Sequence, residues 1–139
     1  MSKTTRFGIS IDSELLKKFD KRNKLKGYLN RSEAIRDLIR DCLVTEQWEK
    51  NEGEMVGVVS LVFDHHRLDL PNKLTEEQHK YHSIIISSLH IHLDKHNCLE
   101  VLLLRGEGEK IRKLAENLIS HKGVKHGRLS LTTTGEDIS

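Results

Sequence analysis

The sequence predicts an α+β protein of two small domains, and three observations support this fold class. In residues 1–50, a short segment of alternating polarity is followed by two amphipathic helical segments. Residues 51–139 contain β-rich and helical runs in the order βαββαβ. Residues 1–44 hold eleven Lys and Arg against six Asp and Glu, whereas the rest of the chain is mildly acidic. We therefore expect a basic N-terminal domain that binds a polyanion and a second domain with a different task.

The first segment, residues 6–11, is predicted to be a half-buried strand because its polarity alternates at every position. Its inward side chains are Phe7, Ile9 and Ile11, and its outward ones are Arg6, Gly8 and Ser10. A lone strand leaves its backbone groups without partners, unless the same strand of a second chain pairs with it. A strand and two helices in intertwined pairs are typical of ribbon-helix-helix proteins, whose ribbon contacts bases in the major groove. The alternative is an ordinary first strand of a larger sheet.

Two helices follow this strand. Asp12 or Ser13 can cap the first helix, and Gly27 can end it. Asn30 with Glu33 three positions later resembles a capping box at the start of the second helix. Backbone N–H groups at this start can hold a phosphate, which makes residues of the helix terminus candidate DNA contacts. They are Asn30, Arg31 and Ser32.

The second helix has an apolar stripe that places Cys42 in the core. The stripe consists of Ala34, Ile35, Leu38, Ile39, Cys42 and Leu43. Residues 45–54 are polar except for Trp48, so they are interpreted as a short linker that continues the helix.

The second domain is predicted to have strands at residues 55–63, 83–93, 98–104 and 124–131, with helices at residues 69–82 and 107–121. The order βαββαβ matches a ferredoxin-like fold, in which two helices cover one face of an antiparallel sheet. The polar tail from residue 132 onward is expected to fray.

Composition excludes several classes of protein. Hydrophobic residues make up 36% and charged residues 32% of the chain, which is typical of a globular protein. No apolar run approaches the roughly 20 residues that span a bilayer, so no membrane partner is expected. The N-terminus lacks an export signal, which favours a cytoplasmic protein. Two cysteines are too few for a disulfide framework.

All nine histidines lie in residues 65–126, and the pattern of some of them predicts a metal site. His90 and His92 share one face of a strand, because they are two residues apart. The following hairpin places Cys98 opposite His92 and Glu100 opposite His90. Two imidazoles and one thiol form a partial metal site, and the fourth donor must come from elsewhere in the chain or from a partner subunit. The best candidates are His79 and His82.

The spacing of these residues does not identify the metal. Three imidazoles and a thiolate suit Zn²⁺ in a tetrahedral site, and Ni²⁺ or Cu²⁺ in a planar one. A metallohydrolase is the enzyme alternative, but four protein ligands leave no coordination position free for substrate, so we expect no enzyme activity. A third class is an antitoxin or a repressor that senses an organic ligand.

Three motifs together resemble the NikR family of nickel-responsive transcriptional regulators. They are residues 30–37 (NRSEAIRD), the pair His90-x-His92 followed by Cys98-Leu99-Glu100, and residues 123–127 (GVKHG). The similarity covers about residues 6–131. The resemblance implies a homotetramer, a dimer of dimers with the second domains at its centre, and one square-planar Ni²⁺ per subunit at a subunit interface. The implied ligands are His90, His92 and Cys98 of one subunit and His79 of its neighbour.

The resemblance also implies further residues and partners. Glu100 would orient a ligand histidine, and Glu33 with Asp37 would form a second, weaker cation site between the domains. Independently of the resemblance, Arg67 could contact a phosphate, since it lies in the loop that follows the first strand of the second domain. The expected partner is operator DNA with palindromic half-sites, and no small organic substrate is expected.

The expected function is nickel-responsive repression of nickel-uptake genes, with a repressor that senses zinc or copper as the alternative. Gly8 departs from the usual ribbon, since a base-reading side chain would normally stand there, so recognition is expected to depend on Arg6, Ser10 and DNA shape. Several histidines have no assigned role. These are His65, His66, His82, His96 and His126.

Overall fold

The computed structural model describes residues 3–51, 53–67 and 70–139, and it confirms the predicted α+β class. The elements within these residues are α1 (Ser13–Leu25), α2 (Arg31–Glu49), β1 (Glu54–Asp64), α3 (Leu70–Lys80), β2 (Ile85–His92), β3 (Asn97–Glu107), α4 (Gly108–Ile119) and β4 (Val124–Thr133). The predicted first residue of the third helix, Asp69, lies outside the described residues. None of the helices in the described part of the chain is long and apolar enough to cross a membrane.

The second domain is a four-stranded antiparallel sheet with the order β2-β3-β1-β4. Along β1, alternate side chains are buried, because one face of the sheet is covered by α3 and α4. The core on this face is formed by residues of the sheet and of both helices, among them Leu61 and Phe63 of β1, Leu74 of α3, and Ile111 and Leu114 of α4. This topology is the ferredoxin-like arrangement that the order of elements predicted.

Both predicted helix starts in the N-terminal domain are confirmed. Asp12 caps α1, since its Oδ1 accepts hydrogen bonds from the backbone N–H groups of Glu14 and Leu15. Asn30 caps α2 by accepting from the N–H of Glu33 at 2.9 Å. Gly27 follows α1 with a φ of 81°, a left-handed conformation that favours glycine.

The single chain shows no strand in residues 3–12. Phe7 and Ile9, which were predicted to point inward, are 69% and 62% exposed. A strand needs a neighbour to pair with, and the predicted neighbour is the same segment of a second chain. The intermolecular ribbon therefore stays a prediction.

Three local expectations are wrong for the single chain. Cys42 is exposed rather than buried, because its part of the α2 stripe is left uncovered: Leu38, Ile39 and Leu43 are exposed as well, whereas Ala34 near the start of the helix is buried. Helix α2 continues through the expected linker as far as Glu49, as predicted, but this segment is not merely a linker, because Trp48 is 3% exposed in the core of the second domain. The tail does not simply fray, since the carbonyl oxygen of Ser139 accepts a hydrogen bond from Arg40 Nε on α2 at 3.3 Å.

Candidate metal centre and nucleic-acid interface

The β2–β3 hairpin has the register that the sequence predicted. Cys98 lies opposite His92, and Glu100 lies opposite His90. The turn is built on Asp94, whose carboxylate accepts hydrogen bonds from the Asn97 side chain and from the backbone N–H groups of His96 and Asn97. These donors, led by the Asn97 amide, lower the pKa of Asp94 to about 2. The turn therefore holds the two strands in a register that places a thiol beside an imidazole.

A cluster of three metal-ligating side chains lies at this end of the sheet. The Sγ of Cys98 is 3.2 Å from His65 Nδ1 and 3.3 Å from His92 Nδ1. One ligand atom from each of the three residues falls within 4.8 Å of the others. Two imidazoles and a thiol are donors that zinc, copper and nickel accept, so the cluster is a partial coordination shell.

His65 belongs to this cluster, although the sequence analysis assigned it no role. It follows β1, in which Phe63 lies opposite Cys98, and its own N–H donates to the carbonyl of His96 at 3.0 Å. The turn that begins directly after β1 brings the His65 ring to the Cys98 sulfur. The signal that could have found His65 is the pairing of β1 with β3, which spacing within the β2–β3 hairpin does not reveal.

Burial shifts the pKa values of two members of this cluster, His65 and Cys98. Burial lowers the pKa of His65, and the neighbouring rings of His66 and His92 lower it further. Burial also raises the pKa of the Cys98 thiol, as do the nearby carboxylates of Asp64 and Glu100. Both shifts favour the neutral side chains. A neutral imidazole can donate its lone pair to a metal ion, whereas the thiol must lose its proton when a metal binds.

His90 lies beside the cluster. Its ring centroid is 5.3 Å from that of His92, and its ring meets the Phe63 ring edge-on at 5.8 Å. Its cross-strand neighbour Glu100 accepts a hydrogen bond from the Gln78 amide at 2.8 Å. Gln78 thereby joins α3 to the hairpin.

His79 is not part of the cluster within the chain. It is exposed on α3, where it lines a cavity of about 210 Å³ with Thr75, Gln78, His82 and Ile85. The structure thus brings His92 and Cys98 together, with His90 beside them. His79 lies outside this cluster, exposed on α3 of the same subunit.

The candidate DNA contacts at the start of α2 are held in place by neighbouring side chains. Arg31 donates from Nε and Nη2 to the two carboxylate oxygens of Asp20, both at 2.8 Å. Arg6 and Ser32 line an open cavity of about 320 Å³ between residues 4–9 and α2. Gly8 and Ser10 are exposed, and no atom lies within 4 Å of where a Gly8 Cβ would stand.

Two further candidate sites lie elsewhere. Arg67 packs its side chain against Gly123, where a Cβ would come within 2.9 Å of the Arg67 Cδ. Asp37, a candidate ligand of the second cation, accepts hydrogen bonds from the Tyr28 hydroxyl at 2.6 Å and from Arg40 at 2.8 Å. The Tyr28 hydroxyl and then Arg40 lower the pKa of Asp37.

Glu33, the other candidate for the second cation site, pairs with Arg36. Both carboxylates of that site therefore already have donors from the protein.

The chain matches two family models. The model described as the NikR C-terminal nickel-binding domain matches residues 56–132, and the model of the copG family of ribbon-helix-helix proteins matches residues 5–46. A nickel-responsive regulator of Nitratidesulfovibrio vulgaris (strain DP4) is 59% identical over 139 residues, which is all of both chains. Similar regulators of Geobacter metallireducens and Pelobacter propionicus are 58% and 60% identical, and each match covers 99% of both chains.

Proposed function

Because the chain belongs to the NikR family of nickel-responsive regulators, we propose that Ni²⁺ bound by its second domain governs the binding of its ribbon-helix-helix domain to operator DNA. The observation that carries this proposal is the hairpin register that sets Cys98 opposite His92, with their donor atoms 3.3 Å apart. A buried thiol and an exposed imidazole at this distance form half of a four-donor site.

The proposed ligands of one Ni²⁺ per subunit are His90, His92 and Cys98, with His79 of a neighbouring subunit. His79 lies on an exposed surface of α3, which a second subunit can approach. Bound nickel supplies a link between two subunits. Glu100 orients the ligand His90 across the hairpin, and its hydrogen bond to Gln78 holds the carboxylate in position. Four protein donors leave no open coordination position, so the site is a sensor rather than a catalytic centre.

A homotetramer, as a dimer of dimers, is proposed because the second domain exposes an apolar surface along its edge strand. Leu89 and Ile91 of β2 are 57% and 41% exposed, and they lie opposite Val101 and Leu99 on the sheet face that none of the described helices covers. A contiguous apolar surface of this kind usually marks an interface. Other exposed apolar side chains of the hairpin are Ile86, Leu93 and Leu103. The N-terminal domains would pair separately through Phe7, Ile9 and the exposed stripe of α2.

The DNA partner is proposed to be an operator with palindromic half-sites in the cytoplasm, where the protein represses nickel-uptake genes. The outward ribbon positions Arg6, Gly8 and Ser10 would face the bases. The phosphates would meet the start of α2 at Asn30, Arg31 and Ser32, and Arg67 of the second domain. Glu33 and Asp37 remain the proposed second cation site, and a cation there would compete with Arg36, Arg40 and Tyr28 for the carboxylates.

A zinc- or copper-responsive regulator is the second candidate. His65, His92 and Cys98 place three donors within 4.8 Å in a single chain, and zinc accepts such a set in tetrahedral sites. This observation favours a metal that binds without a neighbouring subunit.

Selection of DNA sites separates these possibilities. Random duplex DNA is selected with protein loaded with nickel, with zinc or with copper, and with chelator-treated protein. We expect an inverted repeat to be enriched strongly by the nickel-loaded protein alone. Equal enrichment by all samples, or no enrichment, would contradict nickel control. Enrichment by zinc or copper alone would establish the second candidate instead.

A further inference from the structure

Helix α1 carries more positive charge than its own carboxylates balance. It contains five Lys and Arg residues against two acidic ones, Glu14 and Asp20. Both carboxylates are already paired, Glu14 with Lys17 of the same helix and Asp20 with Arg31 at the start of α2. Within the part of the chain that the structure describes, no ion pair involves the other basic side chains of α1. The surplus charge is therefore available to an anionic partner.

Three of these side chains form a stripe along α1, which we call the lysine stripe: Lys17, Lys21 and Lys24. They stand at positions i, i+4 and i+7, so they lie on one side of the helix. All three are exposed. The other side of α1 is turned inward, where Phe19 is half-buried and Asn23 is 5% exposed. The stripe is therefore a surface of uniform charge rather than part of the packing of the domain.

The lysine stripe adjoins the candidate phosphate contacts at the start of α2. Lys24 follows Asp20 by four residues, so the two side chains are neighbours on the helix surface. The two carboxylate oxygens of Asp20 in turn accept hydrogen bonds from Arg31, both at 2.8 Å. The basic surface that begins at Arg31 thus continues past Asp20 along α1.

The loop between α1 and α2 fixes the stripe relative to these contacts. The backbone N–H of Tyr28 donates to the carbonyl of Asn23 at 3.0 Å, and its hydroxyl donates to Asp37 of α2 at 2.6 Å. Gly27 makes the turn with a φ of 81°. Because the loop is bonded to both helices, the stripe and the start of α2 can contact one surface with little loss of conformational entropy.

Duplex DNA has the charge spacing that suits this stripe. From Lys17 to Lys24 the helix rises by about 10 Å at 1.5 Å per residue. One DNA strand presents a phosphate about every 3.4 Å of the duplex axis, so about three phosphates occupy the same length. An acidic protein could also supply negative charge, but the stripe continues a surface whose proposed partner is the DNA backbone. These observations favour DNA.

We propose that the lysine stripe binds the phosphates that flank each half-site of the operator. This inference rests on the proposed function, because it takes the start of α2 to lie on DNA. The ribbon and the start of α2 contact the half-site itself, and the stripe extends the bound surface outward along the duplex. A lysine ammonium recognises phosphate as a point charge and carries no information about base sequence. The stripe therefore adds affinity that depends on the length of the duplex and not on its flanking sequence.

Two double variants test the stripe. Lys21→Gln with Lys24→Gln removes two unpaired charges and keeps good helix formers, whereas Lys21→Arg with Lys24→Arg keeps the charges. The matched control is Lys110→Gln with Lys113→Gln, which removes two exposed lysines of the same spacing from α4.

Duplex affinity is measured by fluorescence anisotropy over a series of salt concentrations. One duplex is the inverted repeat that the nickel-loaded wild-type protein enriches. The other is the same repeat lengthened at each end by about ten base pairs, roughly one turn of the double helix.

On the lengthened duplex, the glutamine variant of α1 should bind about tenfold more weakly than wild type, with a salt dependence shallower by about two charges. On the short repeat it should bind within twofold of wild type. The arginine variant and the α4 control should match wild type on both. Unchanged affinity of the glutamine variant for the lengthened duplex would overturn the inference. So would an equal loss on both duplexes, or an equal loss in the α4 control.

Duplex DNA of random sequence separates this inference from the proposed function. The glutamine variant of α1 should bind such DNA about tenfold more weakly than wild type, with and without nickel. A wild-type protein without any nickel-induced gain in affinity would contradict the proposed function, whereas the loss on random DNA would still support the lysine stripe. Equal binding of random DNA by the variant and the wild type would overturn the stripe.

Discussion

Cys98 lies directly opposite His92 in the β2–β3 hairpin, with its Sγ 3.3 Å from His92 Nδ1. Every other feature of the metal centre is arranged around this pair. His65 approaches the same sulfur from the end of β1, and His90 lies two residues before His92 on the same face. The pair follows from a hairpin of fixed register, so its chemistry depends on the fold of a single subunit.

Replacement of the thiol tests whether the hairpin senses the metal. Cys98→Ala should abolish nickel-dependent DNA binding, because the thiolate is the softest donor of the set. The exposed Cys42 on α2 provides the matched control, and Cys42→Ala should respond to nickel as wild type does. Duplex binding with and without nickel is measured by fluorescence anisotropy. An unchanged nickel response of Cys98→Ala would refute the assignment of the site.

Variants of two histidines distinguish a metal site shared between subunits from a metal site within a single chain. His79→Ala should weaken nickel binding more than tenfold, because it removes the donor from the neighbouring subunit. His65→Ala should change nickel affinity by less than threefold, since His65 is not among the proposed nickel ligands. Isothermal titration calorimetry of the two variants measures the affinities. The reverse order would place the metal between His65, His92 and Cys98 of one subunit.

The register of the β2–β3 hairpin could be predicted from the sequence for a physical reason. The register of β2 and β3 depends on a short turn, so the positions of His92 and Cys98 could be predicted from local spacing. His65 reaches Cys98 only through the pairing of β1 with β3, which are separated by a helix and a strand. Local periodicity contains no information about that pairing.

Helix α2 shows the same limit. One apolar stripe was sufficient to predict a helix, but the sequence does not reveal which partner each face of the helix meets. Cys42 belongs to a face that the single chain leaves exposed, whereas Trp48 belongs to the face that docks on the second domain. Burial by another domain or by a second chain cannot be read from spacing within one helix.

The ion pair between Asp20 and Arg31 restrains a candidate DNA contact. Asp20→Asn should release Arg31 and raise affinity for duplex DNA of random sequence about threefold, with a salt dependence steeper by about one charge. Glu14→Gln is the control, because Glu14 pairs with Lys17 within α1 and meets no candidate DNA contact. An unchanged affinity of Asp20→Asn would indicate that Arg31 does not reach the DNA.

The same pair should make stability depend on pH. Arg31 lowers the pKa of Asp20, so the stabilisation is fully present above the pKa of the unfolded carboxyl, about 3.9, and is lost as pH falls through the lower pKa of the folded protein. The difference in free energy of unfolding between wild type and Asp20→Asn should accordingly be present at pH 7 and disappear in strong acid. Urea denaturation across this pH range measures it. If the difference in free energy of unfolding between the two proteins did not change with pH, the stabilisation would not come from the Asp20–Arg31 ion pair.

Gly127 allows α4 to pack closely on β4. A Cβ at this position would lie 2.6 Å from Ile119 Cγ1 and 3.0 Å from Leu61 Cδ2. Gly127→Ala should lower the free energy of unfolding by about 1–3 kcal/mol, because the core must shift to admit the methyl group. Ser130→Ala, an exposed position on the same strand, is the control in chemical denaturation. Equal stability of the two variants would mean that the contact relaxes without cost.

A nickel titration followed by absorption spectroscopy, with duplex binding assayed on the same samples, tests the central claim most directly. We expect a thiolate-to-nickel charge-transfer band that saturates at one Ni²⁺ per subunit and a rise in duplex affinity that follows the same curve. A rise in affinity without the band, or equal activation by zinc, would contradict the assignment of a nickel sensor to this hairpin.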